Sequence, residues 1–235
     1  MQENRLSLVR RFPALASRDF TIFLLGQFVS VIGTWMQNTT QPYLAYRISG
    51  RPFDLGLIGF ASTLPTLLLA LPAGVLVERW DKRKTVIVFQ SIMSLQAFGL
   101  AALTLSGQIQ IWHIGVLALI FGIASAVEIT ARQAMLVELS GREALPSAIA
   151  LQSMVFNIGR VIGPLTASWL LTSTGTEASV FLMNGMSYLF VIGGLFVLQT
   201  RYKVPRAADA RKSLGMEFGE GMGYIRQNSL VASII

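Results

Sequence analysis

Residues 74–84 of the chain read GVLVERWDKRK, and six of these side chains are charged. Long uncharged runs adjoin this stretch, because residues 55–77 and residues 85–127 contain no Lys, Arg, Asp or Glu. A helix that crosses a membrane needs about 20 predominantly apolar residues. The pattern therefore predicts hydrophobic helices on both sides of a short charged turn at a membrane surface.

The composition of the whole chain is typical of a membrane protein. Of its 235 residues, 53% are hydrophobic and 13% are charged, whereas a soluble domain has about 25% charged residues. The absence of cysteine and the single histidine, His113, exclude disulfides, cysteine-based metal sites and cysteine nucleophiles. The sequence also lacks a G-x-x-x-x-G-K-[ST] phosphate loop and any nucleophile–base constellation, so we expect neither an enzyme nor a resident metal or cofactor.

The uncharged runs predict an all-α membrane protein with six spans. The spans are 20–46, 55–77, two within 85–127 that are divided at SGQIQ (106–110), 144–176 and 178–200. They form a six-helix transmembrane bundle at 20–200, preceded by a segment at 1–19 and followed by a basic linker at 201–228. The apolar residues 229–235 are too few to cross a bilayer, and we expect them to begin a seventh helix that is truncated.

The basic residues are unevenly distributed over the segments that connect the spans. With the N-terminus in the cytoplasm, only Arg47 and Arg51 lie outside and Arg160 lies within a span, so 16 of the 19 basic residues are inside. Cytoplasmic loops carry an excess of Lys and Arg. We therefore expect an inner-membrane protein whose N-terminal segment and linker are cytoplasmic. The lipid bilayer, and no nucleic acid, then accounts for the net charge of +7.

The charged turn permits two interpretations from its residues alone. Anchoring by the positive-inside rule needs only its basic residues, and it explains neither the acidic residues nor Gly74. The arrangement also resembles the signature loop of the major facilitator superfamily, G-x-x-x-D-R-x-G-R-[RK], between the second and third helices. The matching positions are Gly74, Glu78, Arg79, Asp81, Lys82 and Arg83, with Glu78 in place of the usual Asp and Asp81 in place of the usual Gly.

Further stretches resemble the branch of this superfamily that includes the enterobactin exporter and the transmembrane secretion effectors. They are RDFTIFLLGQFVSVIGTWMQ (18–37), GLIGFASTLPTLLLALPAG (56–74), TARQAMLVELSGREALPSAIALQSMVFNIGRVIGP (130–164) and MEFGEGMGYIRQNSLV (216–231). The resemblance implies the N-terminal half of a twelve-helix transporter, with the C-terminal six-helix half missing from this sequence. It also implies that Gly74 allows a close helix contact, while the acid at 78 and Arg79 hold a cytoplasmic gate through charge pairs with the other half.

Two ionisable side chains within the predicted spans or at their ends are candidate site residues. Arg160 lies near the middle of the fifth span, where an Arg costs about 2.5–3.5 kcal/mol on insertion scales, and Asn157 shares its helix face. Arg160 either lines a transport cavity, where it contacts substrate or a coupling acid, or is tied to a buried partner for packing. Glu128, near the cytoplasmic end of the fourth span, either exchanges a proton during transport or forms an ion pair with Arg132, four residues on.

Other polar and small residues within the spans permit a similar choice. GRVIGP, with Gly159, Gly163 and Pro164, resembles the helix-5 motif of antiporter branches, but its glycines also allow close helix packing. The remaining candidates for the substrate cavity are Gln27, Trp35, Gln37 and Asn38 in the first span and Asn184 in the sixth. Their amides bind either a substrate or a neighbouring helix.

The resemblance and the charge pattern together favour one function and leave one alternative. We expect a secondary transporter that exports drug-like or siderophore-like organic molecules by alternating access, with protons as the coupling ion. The alternative is a truncated protein or half-transporter, which has no transport activity alone and needs a second six-helix half.

Overall fold

The computed structural model describes residues 11–198, and nearly all of this part is helical. A short 3₁₀ helix at Pro13–Ala16 is followed by α1 (Arg18–Ser49), α2 (Pro52–Arg79), α3 (Lys82–Leu105), α4 (Ile111–Thr174) and α5 (Ala178–Val197). Each of these five α-helices is long and apolar enough to cross a membrane. The all-α prediction is thus confirmed for residues 11–198, whereas the predicted linker at 201–228 and seventh-helix start at 229–235 lie outside them.

The charged stretch at 74–84 is the end of one helix and the start of the next. Only Trp80 and Asp81 separate α2 from α3. Asp81 caps α3, because its carboxylate accepts a hydrogen bond of 2.9 Å from the Lys84 N–H. Two helices of opposite direction therefore meet in a connection so short that all the charged side chains gather at one end of the bundle.

The helix α4 is too long to be a single straight span. Its 64 residues would measure about 96 Å at 1.5 Å per residue, about three times the thickness of a bilayer's hydrocarbon core. The helix is interrupted at Gly141, whose φ of 74° and ψ of 162° are open essentially to glycine alone. We call residues 111–140 arm A and residues 142–174 arm B.

The structure corrects the predicted boundary between the fourth and fifth spans. The uncharged runs leave residues 128–143 outside the spans, but this segment is helical except at Gly141. Its sequence is rich in Ala, Leu, Met, Glu, Gln and Arg, which are the strongest helix formers. The high helix propensity of this segment explains why arm A continues past Val127, where charged residues begin.

Buried apolar side chains join all the helices at the end that carries the charged turn. The cluster includes Phe20, Val77, Val86, Leu136 and Leu195, one each from α1, α2, α3, arm A and α5. Across the whole described part, the pairs with the most extensive packing are α2–α4, α1–α4, α3–α5 and α1–α5, whereas α2 and α3 scarcely touch beyond their shared turn. The core is therefore built by helices that are distant in the sequence.

Many large apolar side chains point away from this core. Phe53, Leu67, Leu165 and Trp169 are each at least 66% exposed. Continuous apolar surface of this kind marks contact with a membrane or another protein. Lipid and further helices are the natural surroundings of such a bundle.

Candidate functional site

A cavity of about 260 Å³ lies between α1, α3, α5 and both arms of α4. Four residues predicted as site residues line it, namely Gln27, Trp35, Asn38 and Glu128. Most of the other lining side chains are apolar or neutral, including Phe121, Phe156 and Tyr188. The cavity is thus a mainly apolar space whose wall carries a small number of polar groups, as is typical of sites for small organic molecules.

The charged part of the cavity wall consists of an ion pair and an amide side chain that is hydrogen-bonded to it. The Glu128 side chain is buried, and its carboxylate lies 3.2 Å from Arg132 Nε on the next turn of arm A. Gln90 of α3 donates a hydrogen bond of 2.9 Å from its Nε2 to Glu128 Oε1. The predicted pairing of Glu128 with Arg132 is therefore present, and Gln90 fixes the carboxylate from a second helix.

Arg160 and two aromatic rings form a second group beside the cavity. The Arg160 guanidinium carbon lies 5.5 Å from the centroid of the Trp35 ring, which is within the range of a cation–π contact. The Trp35 ring in turn contacts Phe156 edge-on, with 5.5 Å between ring centroids. Asn157 lies on the same exposed side of arm B, but its Nδ2 donates to the backbone oxygen of Ser153, at 2.8 Å.

The glycines of the helix-5 motif bring this group together. A Cβ on Gly163 would lie 2.5 Å from Trp35 Cβ and 3.0 Å from the Ile32 carbonyl oxygen. A Cβ on Gly159 would lie 2.6 Å from Val31 Cγ1. Arm B therefore packs directly on the backbone of α1, and this close approach puts Arg160 over Trp35. Pro164 follows within the same arm.

Gln37 and Asn184 do not line the cavity, and the structure places both in a buried amide network. Asn184 Nδ2 donates to Gln37 Oε1 at 2.8 Å, and Gln37 Nε2 donates to Gln96 Oε1 at 3.1 Å. Asn184 also contacts the Tyr188 hydroxyl, which is 3.0 Å from the Thr34 hydroxyl. The network joins α1, α3 and α5 behind the cavity wall.

Asn38 lies between this cavity and a second one. The second cavity, of about 310 Å³, is lined by α1, α2 and arm A and shares Asn38, Phe121 and Ser125 with the first. Gln41 lines the second cavity and belongs to the amide network through its bond from Gln37 Nε2, at 3.2 Å. The polar side of α1 is therefore continuous from one cavity to the other.

The basic residues of the charged turn make contacts within the bundle. Lys82 forms an ion pair with Glu138 of arm A, and Arg83 donates to the backbone oxygen of Leu198 at 3.4 Å. Glu78 is exposed, and Arg79 is partly buried. The turn thus fastens α3 to arm A and to the end of α5.

Within residues 11–198 no helix lies close to Gly74, so the close helix contact that the resemblance implies stays a prediction. A Cβ at this position would meet no heavy atom within 4 Å in the part of the chain that the structure describes. The face of α2 at Gly74 is therefore open within the described residues. A helix that approaches Gly74 would have to come from outside residues 11–198.

Comparison with known families identifies the family of this chain. The family model described as "Transmembrane secretion effector" matches residues 10–235. The chain belongs to this family, within the major facilitator superfamily. Among similar proteins, the staphyloferrin A transporter of Staphylococcus aureus is 32% identical over 81% of this chain and 45% of its own length.

Other relatives of this chain are named as exporters and efflux pumps. The multidrug efflux pump Tap of Mycolicibacterium fortuitum is 26% identical over 74% of this chain and 42% of its own length. The enterobactin exporter EntS of Salmonella typhimurium is 25% identical over 72% of this chain and 40% of its own length. The chain therefore spans about half the length of the curated relatives that it matches, and it is a multi-pass membrane protein of a transporter family.

Several residues that build the site were not predicted from the sequence. They are Gln90, which binds Glu128; Thr34 and Tyr188, which extend the amide network; and Glu138, which pairs with Lys82. Tyr188 follows Asn184 by four positions, a helical spacing that links the two. Gln90 and Glu138 carry no such local signal, because their partners lie 38 and 56 positions away in the sequence.

Proposed function

We propose that this chain is the N-terminal half of a twelve-helix secondary transporter, which exports siderophore-like or drug-like organic molecules in exchange for protons. The observation that carries the proposal is the buried carboxyl group of Glu128, which contacts Arg132 in the wall of a cavity inside an apolar bundle. Cavities of this kind between membrane helices hold the substrate and the coupling ion in secondary transporters. The names of the relatives, a siderophore transporter and a drug efflux pump among them, support this class of cargo.

The proposal includes six spans. The protein lies in the inner membrane, with its N-terminus in the cytoplasm. Arms A and B count as separate spans, because Gly141 interrupts α4 and the arms are about 45 Å and about 50 Å long at 1.5 Å per residue. The charged turn and Gly141 then face the cytoplasm, where basic residues are favoured. Alternating access would move this half against a second six-helix half around the cavity.

The contacts of Glu128 support a role in proton coupling. While it is ionised, its carboxylate holds Arg132 by an ion pair and Gln90 by a hydrogen bond. A proton on the carboxylate removes the charge that neutralises Arg132, so the cavity wall gains one positive charge. Because such a change is costly in an apolar bundle, it favours a different arrangement of the helices around the cavity. We therefore assign proton exchange to Glu128.

The test measures transport by the complete protein, this half together with the second, in inside-out membrane vesicles. Staphyloferrin A and ethidium serve as siderophore-like and drug-like probes, and the vesicles are acidified inside. We expect Glu128→Gln to lower gradient-driven accumulation of the transported probe by about tenfold or more, since it removes the proton site. The matched control is Glu143→Gln at an exposed position of arm B.

Two results would contradict the proposal. One is accumulation of neither probe by the wild-type protein when a proton gradient is imposed. The other is equal, gradient-dependent accumulation by the wild-type protein and Glu128→Gln. In that second case another carboxylate would carry the proton, and Glu128 would serve to neutralise Arg132.

A half-transporter without activity of its own is the second candidate function. It is supported by the face of α2 at Gly74, where no heavy atom of the described residues lies within 4 Å of a Cβ, so that a further helix can approach. The same vesicles can be prepared with residues 1–235 alone and with a separately expressed second half. Transport only after co-expression would support this candidate, and transport by residues 1–235 alone would contradict it.

A further inference from the structure

We infer that Arg160, stacked on Trp35, is the recognition group for an anionic part of the transported molecule, such as a carboxylate. The inference rests on the proposed function and adds the substrate class to it. Arg160 is exposed on arm B, although it lies in a helix of membrane-spanning composition. A charged residue at such a position normally faces a pathway or a partner rather than lipid.

The stacked geometry leaves the hydrogen-bonding edge of the guanidinium available. With 5.5 Å between Arg160 Cζ and the centroid of the Trp35 ring, the ring supports the cation from one side. Within residues 11–198, Trp35 is the only interaction partner of Arg160, so its N–H groups donate to no side chain or backbone oxygen there. A guanidinium held in this way presents a planar fork that matches a carboxylate in two parallel hydrogen bonds.

The charge balance favours an anion. In the cavity wall Glu128 and Arg132 neutralise each other, and elsewhere in the bundle Glu138 and Glu177 are paired with Lys82 and Arg47 respectively. Arg160 therefore adds a positive charge without an acidic partner among the residues that the structure describes. A ligand that brings a negative charge to this point is stabilised, whereas a cationic ligand is repelled.

The neighbouring surfaces fit the apolar remainder of such a ligand. Trp35 and Phe156 are in contact with each other, and both line the cavity of about 260 Å³. An organic anion bound at the edge of Arg160 would place its carbon skeleton against these rings. The site thus combines a fixed cation with an aromatic wall, which favours amphipathic anions over inorganic ones.

The experiment measures binding without a gradient, so that it is independent of coupling. The complete protein is placed in lipid nanodiscs, and calorimetry gives the dissociation constants of 2-naphthoate and 2-naphthamide, which have similar shapes and differ in charge. We expect 2-naphthoate to bind about tenfold or more tightly, as hydrogen bonds to charged groups predict. Arg160→Gln should remove this preference, Arg160→Lys should keep part of it, and the control Arg142→Gln should leave it unchanged.

Three results would overturn the inference. The first is equal affinity of the wild-type protein for the two probes, and the second is binding of neither probe at millimolar concentration. The third is a loss of affinity in Arg160→Gln that is the same for both probes, as expected if Arg160 pairs with a carboxylate of the second half. Any of these could occur while proton-driven transport persists in vesicles, so the inference and the proposed function can fail separately.

Discussion

At the scale of single residues, the contact between Gly163 and α1 controls the shape of the candidate site. The space where a Cβ would stand is already occupied by Trp35 Cβ at 2.5 Å and by two backbone atoms of α1, at 3.0 and 3.1 Å. Backbone atoms cannot move away by a change of rotamer, as a flexible side chain can. Any side chain at this position must therefore push arm B away from α1.

We expect Gly163→Ala to destabilise the protein by about 1–3 kcal/mol, the usual cost of forcing extra atoms into a packed interface. Thermal unfolding of the purified protein in detergent measures the effect. Gly115→Ala in arm A is the matched control, since a Cβ there meets no heavy atom within 4 Å. Equal unfolding temperatures for the two variants would show that α1 and arm B are not in close contact.

Local spacing explains which residue contacts could be predicted from the sequence. Glu128 and Arg132 are one helical turn apart, so any helix through them brings the two side chains together. The glycines at 159 and 163 predicted a close approach for the same reason, since they share one helix face. The sequence could not indicate that α1 is the helix they meet, because this depends on the packing of the whole bundle.

At the scale of elements, the amide network holds the helices around the cavity. Gln37 is its centre, since it binds Asn184 of α5, Gln96 of α3 and Gln41 of its own helix. These bonds are made in an apolar interior, where an amide without a partner is unfavourable. The predicted polar residues of α1 thus divide by face, with Gln37 buried in the network and Asn38 exposed toward the cavities.

We expect Gln37→Leu to lower the free energy of unfolding by about 1–3 kcal/mol, because it leaves buried amide groups of Asn184 and Gln96 without their partner. Denaturant titration in mixed micelles measures the change. Asn38→Leu is the control, since it makes a similar substitution at the next position, on the exposed face. A control as destabilised as Gln37→Leu would indicate a general effect of the polar-to-apolar change on α1.

Helix boundaries were predictable where composition changes sharply and not where it changes gradually. The second span was predicted at 55–77 and the helix is Pro52–Arg79, because a proline and a charged turn mark its ends. Arm A extends past Val127 since good helix formers follow without a break. Charge alone indicates where a membrane surface lies, and it does not end a helix.

At the scale of the whole molecule, the apolar exterior and the two polar ends define an orientation. Lys84 is the last residue of the charged stretch at 74–84, and Ser106 caps α3 at the opposite end. Both residues are exposed, and the sequence contains no cysteine. A single introduced cysteine can therefore be labelled without a background from native thiols.

We expect a membrane-impermeant maleimide to label Ser106→Cys in right-side-out vesicles and to leave Lys84→Cys unlabelled until the vesicles are opened. The reason is the large excess of basic residues on the side of the charged turn. Labelling is read as a mass increase of the purified protein. The reverse pattern would invert the proposed topology, and labelling of both positions would contradict a span at α3.

The arrangement of the helices in space was the part that the sequence could not predict. Spans follow from local composition, but the hydrogen bond between Gln37 and Asn184 joins positions 147 residues apart. From the sequence alone, many pairs of amide side chains in the spans are equally good candidates for such a hydrogen bond. The family resemblance supplied the architecture that composition alone could not.

The break at Gly141 has a consequence for the topology of this protein. In the proposed six-span topology, arm A ends and arm B starts back at one membrane surface, and the residue between them has a φ of 74°. A residue with a side chain would favour ordinary helical angles, and the arms would join into one rod about 96 Å long at 1.5 Å per residue. In that topology, a position without a side chain would set the side of the membrane on which arm B ends.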